Sequence, residues 1–262
     1  MAGTDHIPGE ARQLEGRTAV ITGAGSGVGL ACAQALAAAG MALLLVGRSE
    51  DKLVKAQRQI EANSSTTVAI LPGDITSTAF ADLAVREAGA ITKTAALVLV
   101  NSAGIIVRHD ATDTPDDAWQ QVMRTNVDGV FYMSRAFAQQ ATGPGAIVNV
   151  SSTCGSVGSP GLAAYCASKG AVNQLTRTMA LELAARKITV NAVAPGAIDA
   201  PMLFSEHATQ ALADSVLARN QQSIPIGEVA QPEEVARAVL FLVRECHITG
   251  TILPVDGGYT AG

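Results

Sequence analysis

The 262-residue chain is poor in aromatic side chains, with one Trp, three Tyr and five Phe, and it contains no block of basic residues. Its 23 acids against 18 bases leave a formal charge of −5, which excludes nucleic acid as the main partner. Cysteine is also scarce. Cys32, Cys154, Cys166 and Cys246 show neither Cys-x-x-Cys nor Cys/His spacing, so no disulfide framework and no metal site are expected, and the expected compartment is a reducing cytoplasm. Long apolar runs are missing. Met41 to Val46 and Ala95 to Val100 fall far short of the ~20 residues that cross a bilayer, so no membrane partner is expected. Residues 1–14 mix Asp5, His6, Pro8, Glu10 and Arg12 without an apolar core, which reads as a flexible tail and not a secretory signal. No internal repeat or low-complexity stretch is visible.

What the chain does have is apolar content: 48% of it, enough to bury a sizeable core, with no linker to divide residues 15–262 into two domains. From Arg17 onward, compact apolar runs alternate with longer helical stretches. That is the pattern of a parallel sheet covered on both faces, an α/β doubly wound fold. Strands are expected near 18–22, 42–47, 67–71, 96–101, 146–151, 189–194 and 251–255, giving seven parallel strands. Helices are expected near 27–39, 51–62, 77–90, 115–140, 163–186 and 232–244. The helix at 115 has a well-marked start: Thr114 can cap, Pro115 can take the first helical position, and Asp116 and Asp117 face the positive end of the dipole. Pro232, Glu233 and Glu234 repeat that logic. The stretch 195–229 exceeds a normal connection and is a candidate substrate loop.

Chemistry-bearing residues gather at the ends of these elements. Thr22-Gly23-Ala24-Gly25-Ser26-Gly27-Val28-Gly29 follows the first strand and opens the first helix. Glycines there let the backbone approach a pyrophosphate, and the helix amides point at it. A ligand-free glycine turn is the plainer reading, but the strand and helix flanks disfavour it. The tip of the second strand, Val46-Gly47-Arg48-Ser49, carries no carboxylate to bind the adenosine ribose of NAD. Arg48 and Ser49 can instead hold the extra phosphate of NADP, so NADP(H) is expected, with NAD(H) and a merely solvated Arg48 as alternatives. Tyr165 and Lys169 lie four residues apart, hence on one helix face. A cation beside the phenol would draw its pKa from ~10 toward the working pH and make it an acid or base. Ser152 closes the fifth strand and can bond a substrate oxygen, although a serine ending a strand is the bland reading of it alone.

These motifs, spread over residues 15–258, resemble the short-chain dehydrogenase/reductase family: the Thr-Gly-x-x-x-Gly-x-Gly spacing, the Ser/Tyr/Lys set, and Asn101-Ser102-Ala103-Gly104, where Ser102 replaces an asparagine. The resemblance implies a hydride transfer between the nicotinamide and a carbonyl or secondary alcohol, with Tyr165 as acid or base. It implies that Ser152 polarises the oxygen, that Lys169 lowers the tyrosine pKa and holds the ribose, and that Asn126 supports a proton relay. It places Asp74 with Ile75 near the adenine, Asn101, Ala103 and Gly104 along the cofactor, and Pro195, Gly196 and Ile198 beside the nicotinamide. Ala200 stands where many relatives have threonine, removing a hydroxyl from the nicotinamide end. Asp256-Gly257-Gly258 resembles the family's C-terminal signature, which implies a homotetramer or homodimer.

The substrate is less legible. Gly104 to Arg108 resembles sugar-acid dehydrogenases of the family, so that Arg108 or His109 would meet a carboxylate or hydroxyls. Val157, Pro160, Leu162, Met202, Leu203 and Phe204 would equally suit a small apolar ketone. Cys154 and Cys166 flank catalytic positions and read as small hydrophobes. A non-catalytic dinucleotide sensor or scaffold is the competing reading, since fold alone does not decide function. A nucleotide-sugar epimerase fits less well, because its glycine spacing differs.

Overall fold

The structure, a computed structural model, describes residues 11–200 and 221–262. Its strands are β1 (Thr18–Thr22), β2 (Ala42–Gly47), β3 (Val68–Pro72), β4 (Val98–Asn101), β5 (Gly145–Val150), β6 (Ile188–Pro195) and β7 (Ile252–Val255). All pair in parallel, in the order β3-β2-β1-β4-β5-β6-β7. The helices are α1 (Gly27–Ala38), α2 (Glu50–Glu61), α3 (Thr78–Thr92), α4 (Asp116–Met123), α5 (Gly129–Gln140), α6 (Ala163–Leu183) and α7 (Pro232–Arg244). The doubly wound α/β reading and its seven strands therefore hold among the described residues.

Strand residues alternate between two apolar layers because successive side chains leave a strand on opposite faces. Ala19, Ile21, Leu43 and Leu45 join α1, α2 and α7 in one layer, while Val20, Leu44 and Val46 join α3, α5 and α6 in the other. Alanines at 31, 33 and 37 let α1 lie close to the sheet.

Local chemistry fixes the ends of several helices. Ser49 caps α2, its Oγ accepting from the Lys52 amide, and Ser77 caps α3 by accepting from the Phe80 amide. Gln231 and Glu234 form a reciprocal capping box at α7, with Pro232 in the first turn.

Three expectations change. The helix expected over 115–140 is two α-helices joined by a π-helical turn, Arg124–Asp128. Its start also differs: Pro115 is the N-cap, and the Thr114 hydroxyl donates back to the Asp110 carbonyl at 3.0 Å. Residues 11–14 are not tail. Arg12 and Leu14 are buried, and the Arg12 guanidinium donates to the carbonyls of Val243 and Gly145 and to the Thr189 hydroxyl. That bridges α7, β5 and β6 from one side chain; residues 1–10 lie outside the described part.

Of the candidate substrate loop, residues 201–220 lie outside the described part, as do Met202, Leu203 and Phe204. Its base is pinned, the Asp199 amide bonding Ala230 O at 2.9 Å and the Ala230 amide bonding Ala197 O at 3.2 Å. Among the described residues no helix is long and apolar enough to cross a membrane.

Candidate active site

A cleft of about 880 Å³ runs along the carboxyl ends of the strands. It spans the point where β1 and β4 lie side by side and the connections turn in opposite directions, the usual place for a ligand in such a sheet. At one end the chain turns sharply at Gly23, with φ +68°, where a Cβ would stand 2.8 Å from the Ala103 backbone. Thr22 Oγ1 accepts from the amides of Ser102 and Ala103 at 3.1 Å, tying the exit of β4 to the glycine turn. Gly29 is equally tight: a Cβ would lie 2.3 Å from the Gly23 carbonyl oxygen. The result is a cradle in which Ser26, Gly27 and Val28 line the cleft at the amino end of α1. The Ser26 side chain makes no capping bond, and no acid stands in the first turn. These features suit a pyrophosphate held by backbone amides.

Farther along, Arg48 lines the cleft at the tip of β2, whereas Ser49 is taken up in capping α2. Asp74 and Ile75 line it after β3. The Asp74 carboxylate accepts from the Thr76 amide at 2.9 Å and does not cap α3, a role that falls to Ser77. Ala103, Gly104, Pro195, Gly196 and Ile198 also line the cleft. Gly25, Gly29 and Asn101 do not. Asn101 is buried, and its Nδ2 donates to Ser134 Oγ and Asn149 Oδ1, both at 2.9 Å. Asn149 passes the ladder on to Thr176 Oγ1 at 2.9 Å. Asn101 therefore braces the sheet beneath the cofactor end, and the bracing does not need an amide at Ser102.

At the other end, Ser152, Tyr165 and Lys169 converge on the cleft. Ser152 follows β5 and begins a 3-10 turn, its Oγ accepting from the Cys154 amide at 3.2 Å. Tyr165 and Lys169 stand one turn apart near the start of α6. Ser152 and Tyr165 face the same cleft, and the Ser152 hydroxyl lies near enough to the Tyr165 phenol to favour its ionised form. Lys169 Nζ lies 5.5 Å from the Tyr165 ring centroid and donates to the Val150 carbonyl at 2.8 Å.

The charge state of the pair differs from the sequence expectation. Burial pushes the Tyr165 phenol up from its ordinary value, with Cys154 adding to the rise and the nearby Ser152 hydroxyl opposing it. Lys169 does not draw it down. Burial instead pulls Lys169 down to about 8, because its ammonium sits away from water and no carboxylate is among its partners. Tyr165 is accordingly a neutral phenol near neutrality, and a positive charge brought beside it would favour its ionised form.

Asn126 lies in the π-helical turn and is fully buried. Its Oδ1 accepts from the Ile105 amide at 2.8 Å, and its Nδ2 donates to Ile105 O at 2.9 Å and Ser168 Oγ at 3.1 Å. Asn126 does not itself line the cleft, but a Cβ on Gly104 would come 3.2 Å from its Oδ1 and 3.7 Å from Lys169 Nζ. Gly104 thus lies close to both side chains.

The cleft is also lined by residues that the sequence did not single out as site residues. Asp117, Gln120, Gln121 and Arg124, all from α4 and the turn after it, form a polar wall. Arg108 also lines the cleft and is close enough to act electrostatically on Tyr165 and Cys154. His109 does not line it; its amide bonds Gly161 O at 3.0 Å and the residue is exposed. Val157 and Leu162 line the mouth and Pro160 does not. The wall had one legible signal, the i, i+3, i+4 and i+7 spacing of 117, 120, 121 and 124, which puts those positions on a single helical face.

Comparison with known proteins agrees with this geometry. Residues 23–260 match the family model described as Enoyl-(Acyl carrier protein) reductase. The chain is 43% identical over 254 residues to galactitol 2-dehydrogenase (L-tagatose-forming) of Cereibacter sphaeroides, covering 95% of this chain and 96% of that protein. It is 39% identical over 258 residues to galactitol 2-dehydrogenase of Rhizobium johnstonii, with the same two coverages. The solved structure of actinorhodin polyketide ketoreductase with NADPH superposes with a TM-score of 0.86 at 31% identity, covering 93% of this chain and 97% of that one. With a cradle at one end of the cleft, a Ser/Tyr/Lys cluster at the other and this similarity along nearly its whole length, the chain belongs to the short-chain dehydrogenase/reductase family of oxidoreductases.

Proposed function

We propose that the protein is an NADP(H)-dependent dehydrogenase/reductase interconverting a secondary alcohol and a ketone on a polyol or sugar. One observation carries the reaction type: Ser152, Tyr165 and Lys169 meet in the same cleft as the glycine cradle. A nicotinamide held beside Pro195, Gly196 and Ile198 would supply the hydride acceptor for alcohol oxidation and the donor for carbonyl reduction. Tyr165 takes the hydroxyl proton in oxidation and gives one in reduction. Ser152, in the same cleft as the phenol, donates to the substrate oxygen as charge grows on it. Lys169 holds the ribose and passes protons, with Asn126 supporting the route at the π-helical turn.

The cofactor reading rests on Arg48 at the tip of β2, where no carboxylate competes for the ribose. Its guanidinium suits a bidentate bond to a 2′-phosphate. The polyol reading rests on the α4 wall and Arg108, which offer several donors and acceptors where an apolar ketone needs none, and on the names of the two relatives. A homotetramer is part of the proposal, supported by the exposed Trp119, Phe131, Leu181 and Phe241 on α4, α5, α6 and α7; so is a cytoplasmic location.

The test is a panel of polyols, ketoses, sugar acids and small ketones assayed with NADPH and NADH in parallel, beside Tyr165→Phe. Polyol or ketose turnover that Tyr165→Phe abolishes, with cofactor binding intact, supports the proposal. Retained turnover in Tyr165→Phe removes its catalytic role, and cofactor binding without turnover across the panel favours a sensor.

A further inference from the structure

Asn126 and Ser168 are both fully buried and meet across two segments, the π-helical turn before α5 and the first turns of α6. The bond between them has a fixed direction. Asn126 Oδ1 faces the Ile105 amide and accepts from it, so the side-chain nitrogen must be the group facing Ser168, and it can only donate. The Ser168 oxygen therefore accepts there. Its single proton goes to the Tyr165 carbonyl at 2.7 Å.

The chain of bonds thus runs from Ile105 through Asn126 and Ser168 to the backbone of the residue that carries the phenol. No other described side-chain hydrogen bond of Asn126 reaches α6. The turn at 124–128 departs from the α-helical bonding of the segments on either side, a kind of interruption found frequently at functional sites. Ser168 is also the residue directly before Lys169, whose ammonium lies near Asn126 beside Gly104.

We propose that Ser168 is a positioning residue that sets the π-helical turn in register with Tyr165 and Lys169 without touching substrate or cofactor. It rests on the catalytic reading of Tyr165, Lys169 and Asn126 given above. Removing the hydroxyl leaves an Asn126 N–H without its partner and lets the turn move relative to α6. Displacements of about 1 Å at such sites cost up to ~100-fold in rate.

The experiment compares Ser168→Ala, Ser168→Thr and Ser168→Cys in the full chain, reading kcat, KM for both substrates, the pH profile of kcat and the unfolding temperature. Tyr165→Phe serves as the reference. Thr can keep the i−3 bond because its hydroxyl reaches that carbonyl from a helix, while Cys keeps the volume with a weak donor and acceptor. In Ser168→Ala, kcat is expected to fall about tenfold to a hundredfold, with cofactor KM unchanged within about twofold and a shifted limb in the pH profile. Ser168→Thr is expected to restore both. If its added methyl prevents folding, Ser168→Cys replaces it and is expected to fall between wild type and Ser168→Ala. A wild-type pH profile and kcat in Ser168→Ala would overturn the proposal, as would a folded Ser168→Thr no better than Ser168→Ala. Retained turnover in Tyr165→Phe would instead overturn the underlying catalytic reading.

Discussion

The Lys169 ammonium donates to the Val150 carbonyl at 2.8 Å, which couples the catalytic face of α6 to the last residue of β5. The same burial that makes this bond holds Lys169 at about 8, so it loses its proton as pH rises through that value, whereas an unfolded lysine does so near ~10.4. Between the two the unfolded chain binds more protons, and this group's contribution to stability rises with pH. Activity that needs the ammonium runs the other way. Carbonyl reduction, which in the proposed mechanism uses charged Lys169 and protonated Tyr165, is expected to decline in kcat/KM as pH rises through about 8, because kcat/KM reports the free enzyme. Lys169→Met is expected to lose that limb and at least ~100-fold in rate. A limb that survives in Lys169→Met belongs to another group.

Arg48 tests cofactor choice directly. Loss of a charge-assisted bond costs about 1.5–3 kcal/mol, so Arg48→Ala is expected to raise KM for NADPH at least ~10-fold and leave KM for NADH within about twofold. Steady-state kinetics with both cofactors read the difference. Equal changes with the two would remove Arg48 from phosphate recognition.

Near the C-terminus, Asp256 accepts from the Gly258 and Thr260 amides at 3.0 Å and from the Thr260 hydroxyl at 2.6 Å. Burial opposes its ionisation, but these bonds outweigh it and hold the carboxyl below its ordinary range. A depressed carboxylate contributes stability above the unfolded value of ~3.9, which is lost as pH falls through the folded one. The stability gap between wild type and Asp256→Asn, measured by urea unfolding, is therefore expected to be steady near neutrality and to shrink toward pH 3. A gap independent of pH would show that the charge is not what matters.

Arg12 joins segments distant in sequence through its guanidinium, and its own amide bonds Arg244 O at 2.8 Å. Arg12→Met keeps much of the packing and removes the donors, leaving buried carbonyls unpaired. It is expected to cost about 1.5–3 kcal/mol in denaturant unfolding, with kcat unchanged because the side chain lies away from the cleft. Stability within ~0.5 kcal/mol of wild type would show that water replaces those bonds.

The seven strands, the glycine cradle and the Ser152, Tyr165 and Lys169 cluster were legible because each is written locally: a compact apolar run, a glycine spacing, a four-residue helical interval. Arg12 was not, since an arginine eleven residues in looks solvated until β5, β6 and α7 supply its acceptors. Asn101 was misplaced for a related reason. Its partners Ser134 and Asn149 are remote in sequence, and only the assembled sheet turns a cofactor-end asparagine into a brace. The sign of the Tyr165 shift needed burial, which spacing to Lys169 does not contain.

The π-helical turn at 124–128 also bears on how the chain tolerates insertion and deletion. Such a turn is an α-helix with one residue added, so the apolar face of α5 carrying Met133, Ala136 and Phe137 meets the sheet in spite of an extra residue upstream. Deleting Thr125 is expected to remove the surplus and to let a continuous α-helix form with both flanking faces in phase. The site and the scaffold would then part company: an unfolding temperature near wild type is expected in the shortened chain, with activity lost as Asn126 leaves its place opposite Ser168.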